Sequence, residues 1–287
     1  MWQAISRLLE EHHGAADIQE RRELSGGEIH PAWYVRYGEH DVFVKCDSRE
    51  MLTKFTAEAD QLHLLSRSNT VRVPTVYGVG SSRDNSFLLL QYLPVKPLDA
   101  HSAWCLGEQL ARLHQWSDQP QFGLDFDNDL STTPQPNSWQ RRWATFFAEQ
   151  RIGWQLQLAA EKGMHFGHIE TLIARVEERL AGHQPQPSLL HGDLWPDNCA
   201  NSQEDGAYLF DPACYWGDRE CDLAMLPRYP ALPPQIYDGY QSVWPLDKDF
   251  IDRQPIYQIY YLLNRANLFG GKHIVEAQQL IERQLLI

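Results

Sequence analysis

The hydrophobic positions of this chain change their period at about residue 100. Before that point most apolar runs alternate or are continuous, as in strands; beyond it they recur three and four apart, as in helices. Residues 2–13 open with a short helix, since Trp2, Ile5, Leu8 and Leu9 share one face. Ala32–Tyr37 and Val42–Lys45 then alternate around Gly38-Glu39-His40-Asp41 and read as a β-hairpin. A helix is expected next, because Met51, Leu52, Phe55, Ala59, Leu62 and Leu65 fall at helical spacing. Val73–Gly80 leads into Ser86–Leu93, a nearly unbroken apolar strand of the buried kind. Pro94 and Pro97 follow it and mark a boundary.

Beyond the boundary, Trp104, Leu106, Leu110, Leu113 and His114 predict a helix. Residues 117–137 are rich in Asp, Asn, Pro, Gln and Ser and read as a long surface loop, mobile and near substrate. Helices are expected over 138–160, 165–182 and 247–286, with a Pro-Gln linker at 184–187. Asp222 precedes a Leu-Ala-Met run and reads as a helix cap. The pattern predicts an α+β protein of two domains. Residues 1–93 form a β-rich lobe with one main helix, and 94–287 a larger, mostly helical lobe.

Composition narrows the partners. A formal charge of −13 argues against a phosphate-backbone partner and against anionic membrane surfaces. No apolar run approaches membrane-spanning length, and the first residues lack the apolar core of a signal peptide. The five cysteines fall at no CxxC spacing, which suits reduced thiols in a cytoplasmic chain.

Candidate chemistry is concentrated in His191-Gly192-Asp193-Leu194-Trp195-Pro196-Asp197-Asn198 and in Tyr208-Leu209-Phe210-Asp211. Asn198 follows Asp193 by five residues, the base-to-amide step of a kinase catalytic loop. Phosphoryl transfer to a hydroxyl uses one carboxylate to accept the proton, and an amide oxygen with a second carboxylate to hold Mg²⁺. A His-x-Asp pair alone also fits a metal hydrolase or a capped turn, so the upstream residues matter. Lys45 closes an apolar strand, and Glu58 lies thirteen residues on, inside the expected helix. That carboxylate can orient the ammonium toward the nucleotide phosphates. Glu50 competes for the role, but it sits at the helix start, where acids are favoured anyway. Gly26 and Gly27 allow close approach of backbone to phosphate. Gln91–Leu93 precede the boundary, where backbone groups can hydrogen-bond an adenine ring. The residues themselves point to ATP-dependent phosphoryl transfer and no further.

A resemblance adds the rest. His191-Gly192-Asp193-Leu194-Trp195-x-x-Asn198 resembles the catalytic loop of the fructosamine/ketosamine kinases, a branch of the protein-kinase-like fold that includes aminoglycoside and choline kinases. Asp211-Pro212-Ala213 with Gly217-x-Arg219-Glu220-x-Asp222-Leu223-Ala224-Met225 resembles a second signature of that family. Tyr257-x-x-Tyr260-x-Leu262-Leu263-Asn264 and Asn267-Leu268-Phe269-Gly270-Gly271 resemble its C-terminal segment. The resemblance implies a bilobal kinase fold and ATP-dependent phosphorylation of the 3-hydroxyl of a ketosamine, free or protein-bound. Such phosphates fall apart, so the implied role is deglycation repair. It further implies Asp193 as base, Asn198 and Asp211 as Mg²⁺ ligands, and Lys45 with Glu58 as the phosphate-positioning pair. Gly26, Gly27, Gln91 and Leu93 are expected around the nucleotide, and Trp195, Trp216, Arg219 and Glu220 around the substrate. Asp218 stands where the family commonly has His, and a carboxylate there is expected to favour a cationic, amine-bearing substrate. Glu28 stands where many members carry Cys, so a monomer or weak homodimer is expected rather than a disulfide-linked pair. The competing readings are a kinase for an aminoglycoside or choline-like amine, and a non-catalytic kinase-like binding module.

Overall fold

The computed structural model describes residues 1–24, 30–116, 119–202 and 206–286. The chain divides into two compact units, residues 1–97 with 199–212, and 98–198 with 213–287.

The first unit contains α1 (Trp2–His13), β1 (Ile18–Leu24), β2 (Ala32–Tyr37), β3 (His40–Ser48), α2 (Leu52–Arg67), β4 (Val76–Ser81) and β5 (Asn85–Gln91). The strands form one antiparallel sheet in the order β1-β2-β3-β5-β4. Side chains alternate across a strand, so Val42, Val44, Phe87 and Leu89 pack with Ile5 and Leu9 of α1. Leu88 and Leu90 emerge on the other face and pack with Phe55, Ala59 and Leu62 of α2. Helices on both faces are the reason the β5 run is unbroken. Each such buried side chain contributes about 1.5–3 kcal/mol. Lys45 shares its parity with Phe43, which packs on the α2 side; register alone therefore directs the lysine toward α2.

One strand of the sheet is not anticipated by the pattern. β1 reads Ile-Gln-Glu-Arg-Arg-Glu-Leu and is exposed along most of its length. It is an edge strand, and charged side chains there block pairing with another chain. The same unit includes a hairpin, Cys199–Ser202 with Gly206–Leu209, to which Val95–Lys96 adds a third strand. The Leu209 N–H donates to the Arg72 carbonyl at 2.9 Å, just before Phe210 and Asp211. Gly26 and Gly27 lie outside the described residues.

The second unit is helical: α3 (Ala100–Gln115), α4 (Trp143–Phe146), α5 (Trp154–Glu161), α6 (Ile169–Leu180), α7 (Glu220–Ala224), α8 (Gln235–Val243), α9 (Phe250–Phe269) and α10 (Lys272–Leu285). The helix expected over 138–160 is interrupted by a π-helical stretch, Phe147–Gly153. The one expected over 247–286 breaks at Gly270 and Gly271, whose φ of 62° and 55° suits glycine. Helices α3 and α8 touch backbone to backbone. A side chain at Gly107 would overlap the Ile236 carbonyl, and one at Gly239 the Trp104 carbonyl. That close approach lets His114 of α3 meet the Tyr240 hydroxyl of α8 at 2.9 Å.

The stretch expected to be a mobile surface loop is instead anchored over 122–137, where buried residues alternate with exposed ones. Phe122, Leu124 and Leu130 are core residues, and Asn128, Gln135 and Asn137 are buried polar ones. Their amides are spent on backbone carbonyls: Asn128 Nδ2 donates to Cys214 O at 2.9 Å, and Gln135 Nε2 to Ala213 O at 3.1 Å. Arg151, fully buried, donates to Asn137 Oδ1 at 2.6 Å and stacks 3.9 Å over the Tyr215 ring. Satisfied amides cost little to bury, which is why a polar composition misleads here. The segment braces residues 213–214, directly after Asp211-Pro212.

Candidate active site

In the first unit, Lys45 lies between two carboxylates. Its Nζ is 2.8 Å from Glu58 Oε1 and 2.5 Å from Asp211 Oδ1. Glu58 faces inward because it falls three residues after Phe55 and four before Leu62, all on one face of α2. Glu50 is exposed in the turn before α2. Burial works against a charge on the lysine, but the two carboxylates outweigh it and hold the pKa above that of an ordinary lysine. The ammonium is therefore permanent at neutral pH. Asp211 has φ of 48°, a left-handed conformation that Asp tolerates better than most side chains. The hairpin carries this acid to the lysine 166 residues away in sequence.

The second unit holds the stretch His191–Asn198. Its base is zipped to residues 213–217: Ser188–Leu189 pairs with Trp216–Gly217, and the Leu190 N–H donates to Tyr215 O at 3.1 Å. The Ala213 N–H then donates to His191 O at 2.8 Å. Gly192 has φ of +85°, and a Cβ there would overlap the Ala213 carbonyl. The glycine between His191 and Asp193 is thus a steric requirement. Asn198 donates its amide nitrogen to Asp193 O at 2.8 Å, with a longer contact of 3.3 Å to Asp193 Oδ2. That use of the nitrogen makes the oxygen the ligand atom Asn198 would present to a cation.

Asp222, read from the local pattern as a helix cap, makes a different contact. It caps no helix of its own. Buried inside α7, it accepts from the His191 N–H and the Gly192 N–H, each at 2.8 Å. His114 Nε2 lies 3.1 Å from the same carboxylate. Burial pushes the Asp222 pKa up, but the hydrogen bond and charge of His114, with the backbone donors, bring it below the ordinary value. An ionised carboxylate thus clamps the peptide units that precede Asp193. Its partners are 30 and 31 residues away, so local spacing carries no trace of the contact.

The other expected site residues divide. Trp195 is half-buried beside Asp193, and its carbonyl accepts from the Asn198 N–H at 3.0 Å. Trp216 is core, stacked on Trp116 with ring centroids 5.9 Å apart. Arg219 donates to the carbonyls of Trp244 and Pro245 at 2.8 and 2.9 Å and lies 3.8 Å over the Trp244 ring. Glu220 is buried and gives both oxygens to Arg253, at 2.6 and 2.8 Å. Asp218, expected to favour an amine, accepts instead from the Tyr257 hydroxyl and contacts His183 Nε2, both at 2.6 Å. These four side chains all have partners within the protein. Of the boundary stretch, the Gln91 N–H donates to Thr75 O at 2.8 Å and the Tyr92 N–H to Asp41 O at 3.2 Å. Leu93 is left as the backbone donor in 91–93 with no hydrogen bond to a described residue.

Similarity to other proteins agrees with this arrangement. The sequence model of the fructosamine kinase family matches residues 1–287. A probable ketoamine kinase of Escherichia coli (strain K12) is 70% identical over 285 residues, covering 99% of each chain. A probable ketoamine kinase of Vibrio cholerae is 48% identical over 287 residues, again covering 99% of each. A crystal structure from Haemophilus somnus 129PT, of a protein provisionally described as a fructosamine-3-kinase, superposes with a TM-score of 0.94 at 42% identity, covering 99% of this chain and 98% of that one. The choline kinase of Streptococcus pneumoniae shares the fold alone, with a TM-score of 0.64 at 17% identity over 98% of this chain and 97% of that one.

Proposed function

This chain belongs to the fructosamine kinase family, and on that premise we propose that it transfers the γ-phosphoryl group of ATP to the 3-hydroxyl of a ketosamine. Asp193 accepts the hydroxyl proton. Lys45 holds the α- and β-phosphates, with Glu58 fixing the ammonium, and nucleotide binding belongs to the N-terminal lobe expected over 1–93. Gly26, Gly27 and the Leu93 backbone are assigned to the nucleotide, and Trp195 to the sugar. Asp222 holds the backbone of the base in place. The observation that carries the reading is the clamp of Asp222 on His191 and Gly192, which fixes the peptide units before Asp193 in a chain of this family. Catalysis of this kind is mainly positioning and charge neutralisation.

Asn198 and Asp211 each carry hard oxygens, the ligand type Mg²⁺ prefers, and we assign both to the cation. A cation held there would supply neutralisation of the charge on the nucleotide phosphates. We place the activity in the cytoplasm. Among the described residues no helix is long and apolar enough to cross a membrane, and the five cysteines are thiols and not disulfides, which suits a reducing compartment. We assign a monomer or weak homodimer, and a role in reversing glycation of free or protein-bound amines.

The test is ADP release with Mg²⁺ over ribulosyl-, erythrulosyl- and fructosyl-amines, an aminoglycoside and choline. Turnover confined to ketosamines is expected. Turnover confined to another amine keeps the phosphoryl-transfer roles and overturns the substrate class.

A further inference from the structure

Beside the catalytic stretch, α9 carries two residues one turn apart with different work. The Tyr261 hydroxyl donates to Gly192 O at 3.2 Å, next to Asp193 in sequence. Arg265, four residues on, projects from the same face of the helix about 6 Å further along its axis. Its Nη2 donates to the Tyr229 hydroxyl at 3.2 Å, and the guanidinium lies 5.2 Å over the Tyr229 ring. Tyr229 is half-buried. Burial pushes its pKa up to about 12, Arg265 and Arg228 pull it down, and the charge of Asp193 adds to the rise. The tyrosine therefore feels the charge of Asp193 as well as that of the two arginines.

Those arginines are poorly neutralised. Among the described residues Arg265 has no carboxylate within 4.0 Å, and its one hydrogen-bond partner is a neutral phenol. Arg228 reaches Glu276 only at 3.9 Å, an acid that also approaches His273. Arg265 thus lies against a phenol and not a carboxylate, one turn along α9 from the tyrosine that holds Gly192. Guanidinium presents a planar fork of donors suited to a carboxylate, and the phenol of Tyr229 has one proton to add.

We propose that Arg265, with Arg228 and Tyr229, forms a subsite for a carboxylate on the amine half of the acceptor. It deepens the ketosamine-kinase reading and rests on it. A polycationic acceptor such as an aminoglycoside is repelled at this position. The preferred acceptors are ketosamines of amino acids, or glycated lysines with an acidic neighbour.

The experiment measures KM and kcat of the wild type, Arg265→Gln and Arg265→Lys with four acceptors. These are the ribulosyl adduct of a plain alkylamine, that of glycine, and a ribulosyl-lysine peptide with either Glu or Gln beside the lysine. For the wild type, KM is expected to be lower for a carboxylate-bearing acceptor than for its neutral counterpart. Arg265→Gln is expected to raise that KM by about tenfold or more, as for loss of a charged hydrogen bond, and to leave the neutral adduct within twofold. Arg265→Lys recovers part of the loss, which a purely structural role would not produce in one acceptor alone. Preference for the glycine adduct or for the Glu peptide distinguishes a free amino acid from a protein as the source. Equal changes for all acceptors, no change, or a change in the KM for ATP alone overturns the proposal. Wild-type silence on every ketosamine, with ATP bound, identifies the failure as one of the underlying function, and the subsite falls with it.

Discussion

The carboxylate of Asp222 accepts the backbone N–H of His191 at 2.8 Å and, with its other oxygen, that of Gly192. Both donors are buried and each needs its own acceptor. Asp222→Asn keeps the shape but replaces one acceptor with a donor, leaving a backbone N–H unsatisfied. We expect a loss of about 1–3 kcal/mol in stability and a larger proportional loss in kcat than in KM for ATP. Chemical denaturation and steady-state kinetics read the two effects. Unchanged kcat in a folded Asp222→Asn protein contradicts the positioning role.

Lys45 and the two acids make a second prediction. Lys45→Met leaves Glu58 buried beside Asp211 without its cation, so ATP affinity and kcat both fall. Glu58→Gln keeps the volume and loses the charge; its effect is in the same direction and smaller. Glu50→Gln, in the exposed turn, is expected to stay within about 0.5 kcal/mol of wild type in stability and to retain full activity. An effect of Glu50→Gln equal to that of Glu58→Gln would reverse the assignment.

Gly192 tests the steric argument. Gly192→Ala adds strain at φ of +85° and overlap with the Ala213 carbonyl. The backbone cannot absorb both without moving Asp193, so the variant is expected to lose at least about 1–3 kcal/mol and nearly all activity. A folded, active Gly192→Ala protein contradicts the geometry of the loop.

His183 supplies a pH dependence. Burial lowers its pKa, but the hydrogen bond and charge of Asp218, with Glu220, outweigh this and raise it above 6.5. A raised folded pKa means that the stabilisation is fully present below the unfolded value, about 6.5, and is lost as pH rises through the folded value. The melting temperature of His183→Gln should therefore fall furthest below wild type near pH 6, with the gap narrowing toward pH 9. A gap that widens with pH has the wrong sign for this account.

The fold was legible where period and burial agree. The β5 run predicts a buried strand, and Glu58, thirteen residues after Lys45 and inside the expected helix, is the acid that meets the lysine. Local pattern failed where polar groups are satisfied at long range. Asn128, Gln135 and Asn137 look like loop residues because their partners, the carbonyls of 213 and 214 and the guanidinium of Arg151, are distant in sequence. Asp222 looks like a cap for the same reason. Glu220 and Arg219 carry charge into the second signature, and nothing local reveals that Arg253 and the Trp244 carbonyl claim them. β1 was missed because an exposed edge strand has no apolar face to alternate.

The central claim is that Asp193 is the base for phosphoryl transfer to a ketosamine. The direct measurement is Asp193→Ala assayed twice: turnover of ribulosyl-amine with Mg-ATP, and ATP affinity by calorimetry. The account predicts a fall in kcat of about 10²–10⁴-fold with ATP affinity within a few-fold of wild type. Wild-type turnover in that variant would contradict it.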